Sequence, residues 1–154
     1  MTSAVPATKR TIAKLPIAAA IVALLGITDA VYLTIHHYTA EAVPCGLEFD
    51  CEAVLTSKYA DIAGIPLAAF GALAYIAAFF LAFLTARGNR LTWNMFGIQA
   101  TMMAVVSSYL IYVQHYYIHA WCQYCLISAA ISFTLFLIFC VSALLGTQKN
   151  YADA

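Results

Sequence analysis

Two cysteines two residues apart, Cys122-Gln123-Tyr124-Cys125, open a long apolar run near the end of the chain. If that run is a helix, the second thiol lies one turn below the first, and the free amides of the helix start favour a thiolate. Spacing and environment together suit thiol–disulfide exchange. The same two side chains can also clip a metal or form a structural bridge, so their neighbours must decide. Cys45 and Cys51 stand in a more polar stretch upstream, and Cys140 lies deep within the last apolar run.

The elements that position these thiols follow from composition. Of 154 residues, 64% are hydrophobic and only 9% charged, more apolar surface than a water-soluble domain of this size can hide. Four apolar runs, about 15–36, 67–86, 93–117 and 122–145, each approach the roughly 20 residues that a spanning helix needs. The expected fold is therefore an all-α membrane protein, a four-transmembrane-helix bundle. No basic run or glycine-rich phosphate loop is present, which excludes nucleic acid and nucleotides as expected partners and leaves membrane lipid.

Four crossings return both termini to one side. Lys9, Arg10, Lys14, Arg87, Arg90 and Lys149 share that side, whereas Lys58 is alone opposite, so the positive-inside rule makes the termini cytoplasmic. A basic start and Ala40-Glu41-Ala42 resemble a signal peptide's first region and cleavage site. The first run is longer than a signal core, and it is read as a retained crossing.

The connections are unequal. Residues 87–92 form a tight turn and 115–121 another short one, whereas 37–66 is a long outer loop of the kind that usually carries function. Within it, Asp50 is placed to cap a short helix reaching Tyr59, with Glu52 in its first turn and Val54, Leu55 and Tyr59 turned toward the membrane surface. Gly64-Ile65-Pro66 then breaks the chain, and Pro66 suits the first turn of the second crossing.

Cys45, Cys51, Cys122 and Cys125 thus meet on the outer, oxidising face. Three readings remain open at this point. Two structural disulfides could pin the loop to the bundle; a metal could bind, with His36, His37, His115 or His119 as further ligands; or one pair could pass electrons to the other. A relay has its own logic, because electrons move only between sulfurs that can approach each other. A mobile loop pair can meet an aqueous partner, while Cys125, a turn deeper, can meet a lipid-soluble acceptor such as a quinone. Tyr109, Tyr112, Tyr116, Tyr117, Phe70 and Tyr75 lie near that depth, and most are read as an interfacial aromatic belt. Asp29, about two turns inside the first crossing, is costly there. It could relay protons, pair with Lys58, reach interfacial water or bond a neighbouring Tyr. Cys140, without a partner on its side, is read as packing.

Taken together, Cys45-x5-Cys51, Val54-Leu55-Thr56-Ser57-Lys58-Tyr59, Gly64-Ile65-Pro66, Phe70-Gly71, Tyr75, Tyr109-Leu110-x-Tyr112-x-Gln114 and Cys122-Gln123-Tyr124-Cys125 resemble the bacterial-type members of the vitamin K epoxide reductase family over nearly the whole chain. The order of the motifs differs from the DsbB family, which carries its Cys-x-x-Cys in the earlier outer loop. The resemblance implies one membrane domain over residues 1–154, with a half-helix covering a quinone pocket in a four-helix bundle. It implies that Cys122 and Cys125 are the active pair, Cys125 beside the quinone, with Cys122 exchanging with Cys51 and Cys45 released toward the partner. It places Ser57 on the pocket cap, where its hydroxyl can bond a quinone oxygen, and Leu55, Tyr59, Phe70, Leu110, Gln114 and Ile118 around the pocket. Metal is not part of this expectation.

Animal members have an Asn before the second helix and a Tyr one turn after the active pair; here Leu67 and Ala129 stand there, against epoxide reduction as the main activity. Many bacterial members carry a fused thioredoxin-like domain, whereas this sequence stops soon after the fourth run, so the thioredoxin-fold partner is expected to be a separate, DsbA-like protein. The expected activity is that of an oxidoreductase of the prokaryotic cytoplasmic membrane, with its cysteines on the periplasmic or extracellular face. It would reoxidise that partner and reduce ubiquinone, menaquinone or a vitamin K-type quinone. A DsbA-type partner is itself oxidising, at about −120 mV, so its acceptor must be more oxidising still.

Overall fold

The computed structural model describes residues 7–152, with side chains described from Lys14 to Gly146 apart from Arg90. Lys9, Arg10, Arg90 and Lys149, whose charges set the expected orientation, lie outside the described side chains. The elements are α1 (Ala7–Thr39), α2 (Cys51–Leu55), β1 (Asp61–Ile62), β2 (Ile65–Pro66), α3 (Leu67–Ala86), α4 (Arg90–Val113) and α5 (Gln123–Ala152). A π-helical turn, Gln114–Ile118, continues α4. Within the helices, Lys14–Thr39, Leu67–Ala86, Leu91–Ile118 and Gln123–Gly146 are long and apolar enough to cross a membrane. The protein is an all-α, four-helix membrane protein, as its apolar runs require.

α3 coincides with its apolar run, and the other three long helices extend beyond theirs. α1 continues to Thr39 with His36 and His37 in its last turn, because backbone hydrogen bonding does not stop where hydropathy does. The outer-loop helix shows the reverse. Asp50 caps it, its Oδ1 accepting the Ala53 amide at 3.0 Å, but the helix ends at Leu55 rather than Tyr59. The Thr56 hydroxyl donates to the Glu52 carbonyl and the Ser57 hydroxyl to that of Val54, both at 2.7 Å; such local bonds compete with helix continuation. β1 and β2 then form a minimal antiparallel hairpin around Ala63 and Gly64, both at positive φ (54° and 82°), which a two-residue turn of this hand needs. Two-residue strands leave no periodicity to read, so the sequence gives no sign of them.

The four long helices close a ring in which α1 touches α3, α3 touches α4, α4 touches α5 and α5 touches α1. Small residues set the spacing. Ala19, Ala23 and Ala30 of α1 are buried with Ala72, Ala78 and Ala82 of α3, which lets two backbones approach in the way membrane helices favour. Phe96 and Leu135 fill the centre between α4 and α5, and Trp93 stacks on Phe96 at 4.8 Å. Large apolar side chains such as Ile21, Leu73, Ile98 and Leu137 point outward, as a lipid solvent allows.

Tyr75 departs from the expected aromatic belt. Tyr109, Tyr112, Tyr116 and Tyr117 are exposed, whereas Tyr75 is 1% exposed within the bundle. Gly26 makes this possible, since a Cβ there would collide with the Tyr75 ring.

Candidate functional site

Cys122 sits immediately before α5, and its carbonyl accepts the Leu126 amide at 3.1 Å. Its sulfur accepts the Cys125 amide at 3.4 Å, so a helix-start amide that would otherwise lack a partner is spent on sulfur. The Cys122 thiol is held below the ordinary range chiefly by a hydrogen bond from the Cys125 thiol, helped by the Cys125 and Tyr124 amides and opposed by burial and by Asp29. The Cys122 amide in turn donates to Gln114 Oε1 at 2.9 Å, with Gln114 itself buried. The π-helical turn that carries Gln114 ends at His119 in a left-handed conformation, φ 55°. Widened turns of this type recur at functional sites.

The loop pair is docked on this helix start. Cys45 and Cys51 form a disulfide with Cα atoms 6.2 Å apart. Cys51, the first residue of α2, is 1% exposed and packs with Cys122, which is fully buried, and with Val54. Cys45 is only half-buried, and Cys122 and Cys125 are free thiols. Three bonds tether the loop: the Gly46 amide to Gln123 Oε1 at 3.3 Å, the Tyr124 hydroxyl to the Pro44 carbonyl at 2.9 Å, and the Asp50 amide to the Trp121 carbonyl at 3.0 Å. Two of the tethers come from the residues between the paired cysteines, so the Cys-x-x-Cys segment also serves as the loop's landing.

Below the landing lies a cavity of about 330 Å³ with Cys125 in its wall. Leu55, Ser57 and Tyr59 close it from the outer loop, Phe70 stands on α3, and Leu110, Gln114 and Ile118 come from α4 and its π-helical end. All seven residues expected around a pocket therefore converge on one cavity. The Ser57 hydroxyl, however, gives its proton to the Val54 carbonyl, so it can meet a ligand only as an acceptor unless that bond breaks. Val54 also turns inward against Cys51 and Cys122, and Leu55 and Tyr59 face the cavity rather than a membrane surface.

Ser128 and Ser132 of the wall escape a motif reading, and Tyr75, a motif residue, gains its place in the wall only from the fold. The Tyr75 hydroxyl donates to the Ser128 carbonyl at 2.7 Å and lies 2.9 Å from both the Ser128 and the Ser132 hydroxyls. Cys125, Ser128 and Ser132 are spaced by three and four residues, a helical face that the sequence did display. His37 also reaches the cavity, its Nε2 3.4 Å from Asp61 Oδ1. The histidines do not assemble a metal centre: His36 packs on Tyr32, His115 on Tyr116 and Trp121, and among the described residues no three His, Cys, Asp or Glu groups converge in a form that could hold a metal. Lys58 lies over the Tyr59 ring, 5.1 Å from its centroid, while the Asp29 carboxyl has the Ser128 hydroxyl as its polar neighbour.

The arrangement has a definite chemical sense. A half-buried disulfide cysteine, its buried partner, a buried thiol and a thiol at an apolar cavity pack together in one cluster. The sequence model of the vitamin K epoxide reductase family matches residues 17–140, which contain both cysteine pairs and every described residue of the cavity wall. With that match covering most of its length, the chain belongs to the vitamin K epoxide reductase family of membrane oxidoreductases.

Proposed function

We propose that this protein is a thiol oxidase that reoxidises a thioredoxin-fold, DsbA-like protein and passes the electrons to a membrane quinone, supporting disulfide formation. The packing of Cys51 on Cys122, with Cys45 reachable on one side and Cys125 at the cavity on the other, carries this reading. A partner thiolate attacks Cys45, the Cys45–Cys51 bond breaks, and Cys51 leaves as a thiolate. The partner's second thiol then releases its own disulfide and leaves Cys45 reduced. Next, Cys51 attacks Cys122 of the oxidised helix pair, and closure of Cys45 on Cys51 frees the reduced pair. A loop disulfide beside free Cys122 and Cys125 is the state after that exchange.

The cavity fits a quinone by the chemistry of its wall: apolar side chains from all four long helices, a thiol, and a few hydroxyls, an imidazole and an amide at separate points. Bound there, a quinone accepts two electrons and two protons. Ser57, Tyr75 and Gln114 offer the polar contacts that would orient it, and Leu55, Tyr59, Phe70, Leu110 and Ile118 the apolar ones. Leu67 and Ala129, which replace the polar residues of animal members, both line the cavity, and this favours quinone over epoxide reduction. All four crossings and the outer loop act as one domain in this reading. The cysteines lie on the periplasmic or extracellular face of a prokaryotic cytoplasmic membrane and the termini in the cytoplasm, following the distribution of Lys and Arg.

The test is quinone reduction by the purified protein given a reduced DsbA-like partner. Turnover with ubiquinone or menaquinone that disappears in Cys125→Ala supports the relay and its last step. A folded protein that turns over neither quinone removes this reading.

A further inference from the structure

The strongest feature that the relay leaves unused is a carboxyl group inside the bundle. Asp29 lies within the first crossing, and its Oδ2 is the buried side-chain oxygen or nitrogen without a hydrogen-bond partner among the described residues. Such an oxygen is expensive to keep, and an ionisable group inside a membrane is by default a functional suspect. A proton arriving at Oδ2 displaces no existing hydrogen bond. The charge of this carboxyl is felt at Tyr75 of α3 and at Cys122, Tyr124 and Cys125 around the start of α5, so both active thiols lie within its electrostatic reach.

The bonds around it form a chain. Ser128 is the hydroxyl neighbour that acts on the Asp29 carboxyl, and its oxygen lies 2.9 Å from the Tyr75 hydroxyl, which lies 2.9 Å from that of Ser132. Ser128 has one proton and two acceptors for it, so rotating that proton reconnects the carboxyl to the tyrosine. Ser128, Tyr75, Ser132 and Cys125 all line the cavity.

We propose that Asp29 stores one of the two protons that accompany the electrons from Cys122 and Cys125, with Ser128, Tyr75 and Ser132 conducting it to the cavity; this rests on the quinone reading. With Cys122 a thiolate, Cys125 a thiol and Asp29 protonated, oxidation forms the Cys122–Cys125 bond and breaks the Cys125 S–H and Asp29 O–H bonds. Two electrons and two protons reach the quinone, giving the hydroquinone, and Asp29 is left as a carboxylate. When the Cys45 and Cys51 thiols reduce the helix pair, their two protons restore the Cys125 thiol and the Asp29 acid. Asp29 is a positioning and storage group, since it reaches the reacting atoms through Ser128.

Two measurements on the full chain in lipid nanodiscs test this. Reduced-minus-oxidised infrared difference spectra, with the cysteines cycled chemically and no quinone added, are expected to show a carboxylic-acid band that Asp29→Asn removes and Asp29→Glu shifts. In single turnover from the pre-reduced protein, Asp29→Asn should slow ubiquinone reduction by on the order of 10²-fold, the lower end for a lost general acid. Asp29→Glu should recover part of the rate. Tyr75→Phe, which keeps the ring and breaks the chain at its other end, should slow the reaction while leaving the carboxyl band. An unchanged Asp29→Asn rate, or a slow variant with no carboxyl band in the unmodified protein, overturns the storage role alone. Failure of the unmodified protein to reduce any quinone overturns the quinone reading and this proposal with it.

Discussion

The two ends of the bundle use the same four helices and treat space in opposite ways. Toward the 86–91 turn, Ala78 and Ala82 of α3, Ala19 of α1 and Phe96 of α4 are fully buried, and small residues let large ones close every gap. Toward the cysteines, the helices instead surround a cavity of about 330 Å³. What holds that end open is polar. Tyr75 is fixed by two serines, Cys122 by Gln114, and the covering loop by Asp50, Gln123 and Tyr124. Packing closes one end of the bundle, and hydrogen bonds border the void at the other. The cysteines divide in the same way: four lie at the open end, and Cys140 lies in the other half of α5.

The sharpest way to test this division is through the thiols. Cys122→Ser is expected to reduce partner-to-quinone turnover to background, whereas Cys140→Ser leaves it unchanged; loss in both would end the contrast. The next effect is steric. Ala82→Leu forces extra methylenes into the closed end and should cost about 1–3 kcal/mol in detergent unfolding. Ala74→Leu borders the cavity, so it should cost less stability while raising the KM for quinone. Equal costs at the two positions would show that the open end is not open.

A smaller effect is expected at Gln114. Gln114→Leu leaves the Cys122 amide unpaired, worth about 1–1.5 kcal/mol, and should slow exchange with the loop pair by about tenfold. Gln123→Ala removes a tether from the exposed Gly46 amide and should change exchange less. The smallest effect is a shift in pH profile. The Cys125 thiol holds Cys122 below the ordinary thiol range, so removing that donor moves thiolate formation to higher pH. Trapping of a Cys51–Cys122 mixed disulfide should therefore saturate at lower pH in Cys125→Ser, which keeps a donor, than in Cys125→Ala. Coincident profiles would place the cause of the shift in the amides alone.

Much of this was legible without coordinates, for physical reasons that can be named. A crossing helix needs a continuous apolar run, so four runs declared four helices, and hydropathy failed only at their ends, where polar residues such as His37 and Thr39 continue the hydrogen bonding of α1. Asp50 announced a cap because an acceptor at a helix start is a local interaction, while the stop at Leu55 depended on which carbonyls the Thr56 and Ser57 hydroxyls reached. Leu55, Ser57, Tyr59, Phe70, Leu110, Gln114 and Ile118 were identified through resemblance, and their convergence on one cavity is a three-dimensional fact.

Sequence by itself determined the solvent, the number of crossings, the family motifs and the two cysteine pairs, because hydropathy and spacing along the chain are sufficient for these. Tertiary structure decided that Cys51 rather than Cys45 lies buried against Cys122, that Gln114 holds the Cys122 amide, and that Tyr75 leaves the aromatic belt to join Ser128 and Ser132. Each of these joins residues on different elements, and burial and hydrogen bonding between elements are properties of packing that no local pattern contains.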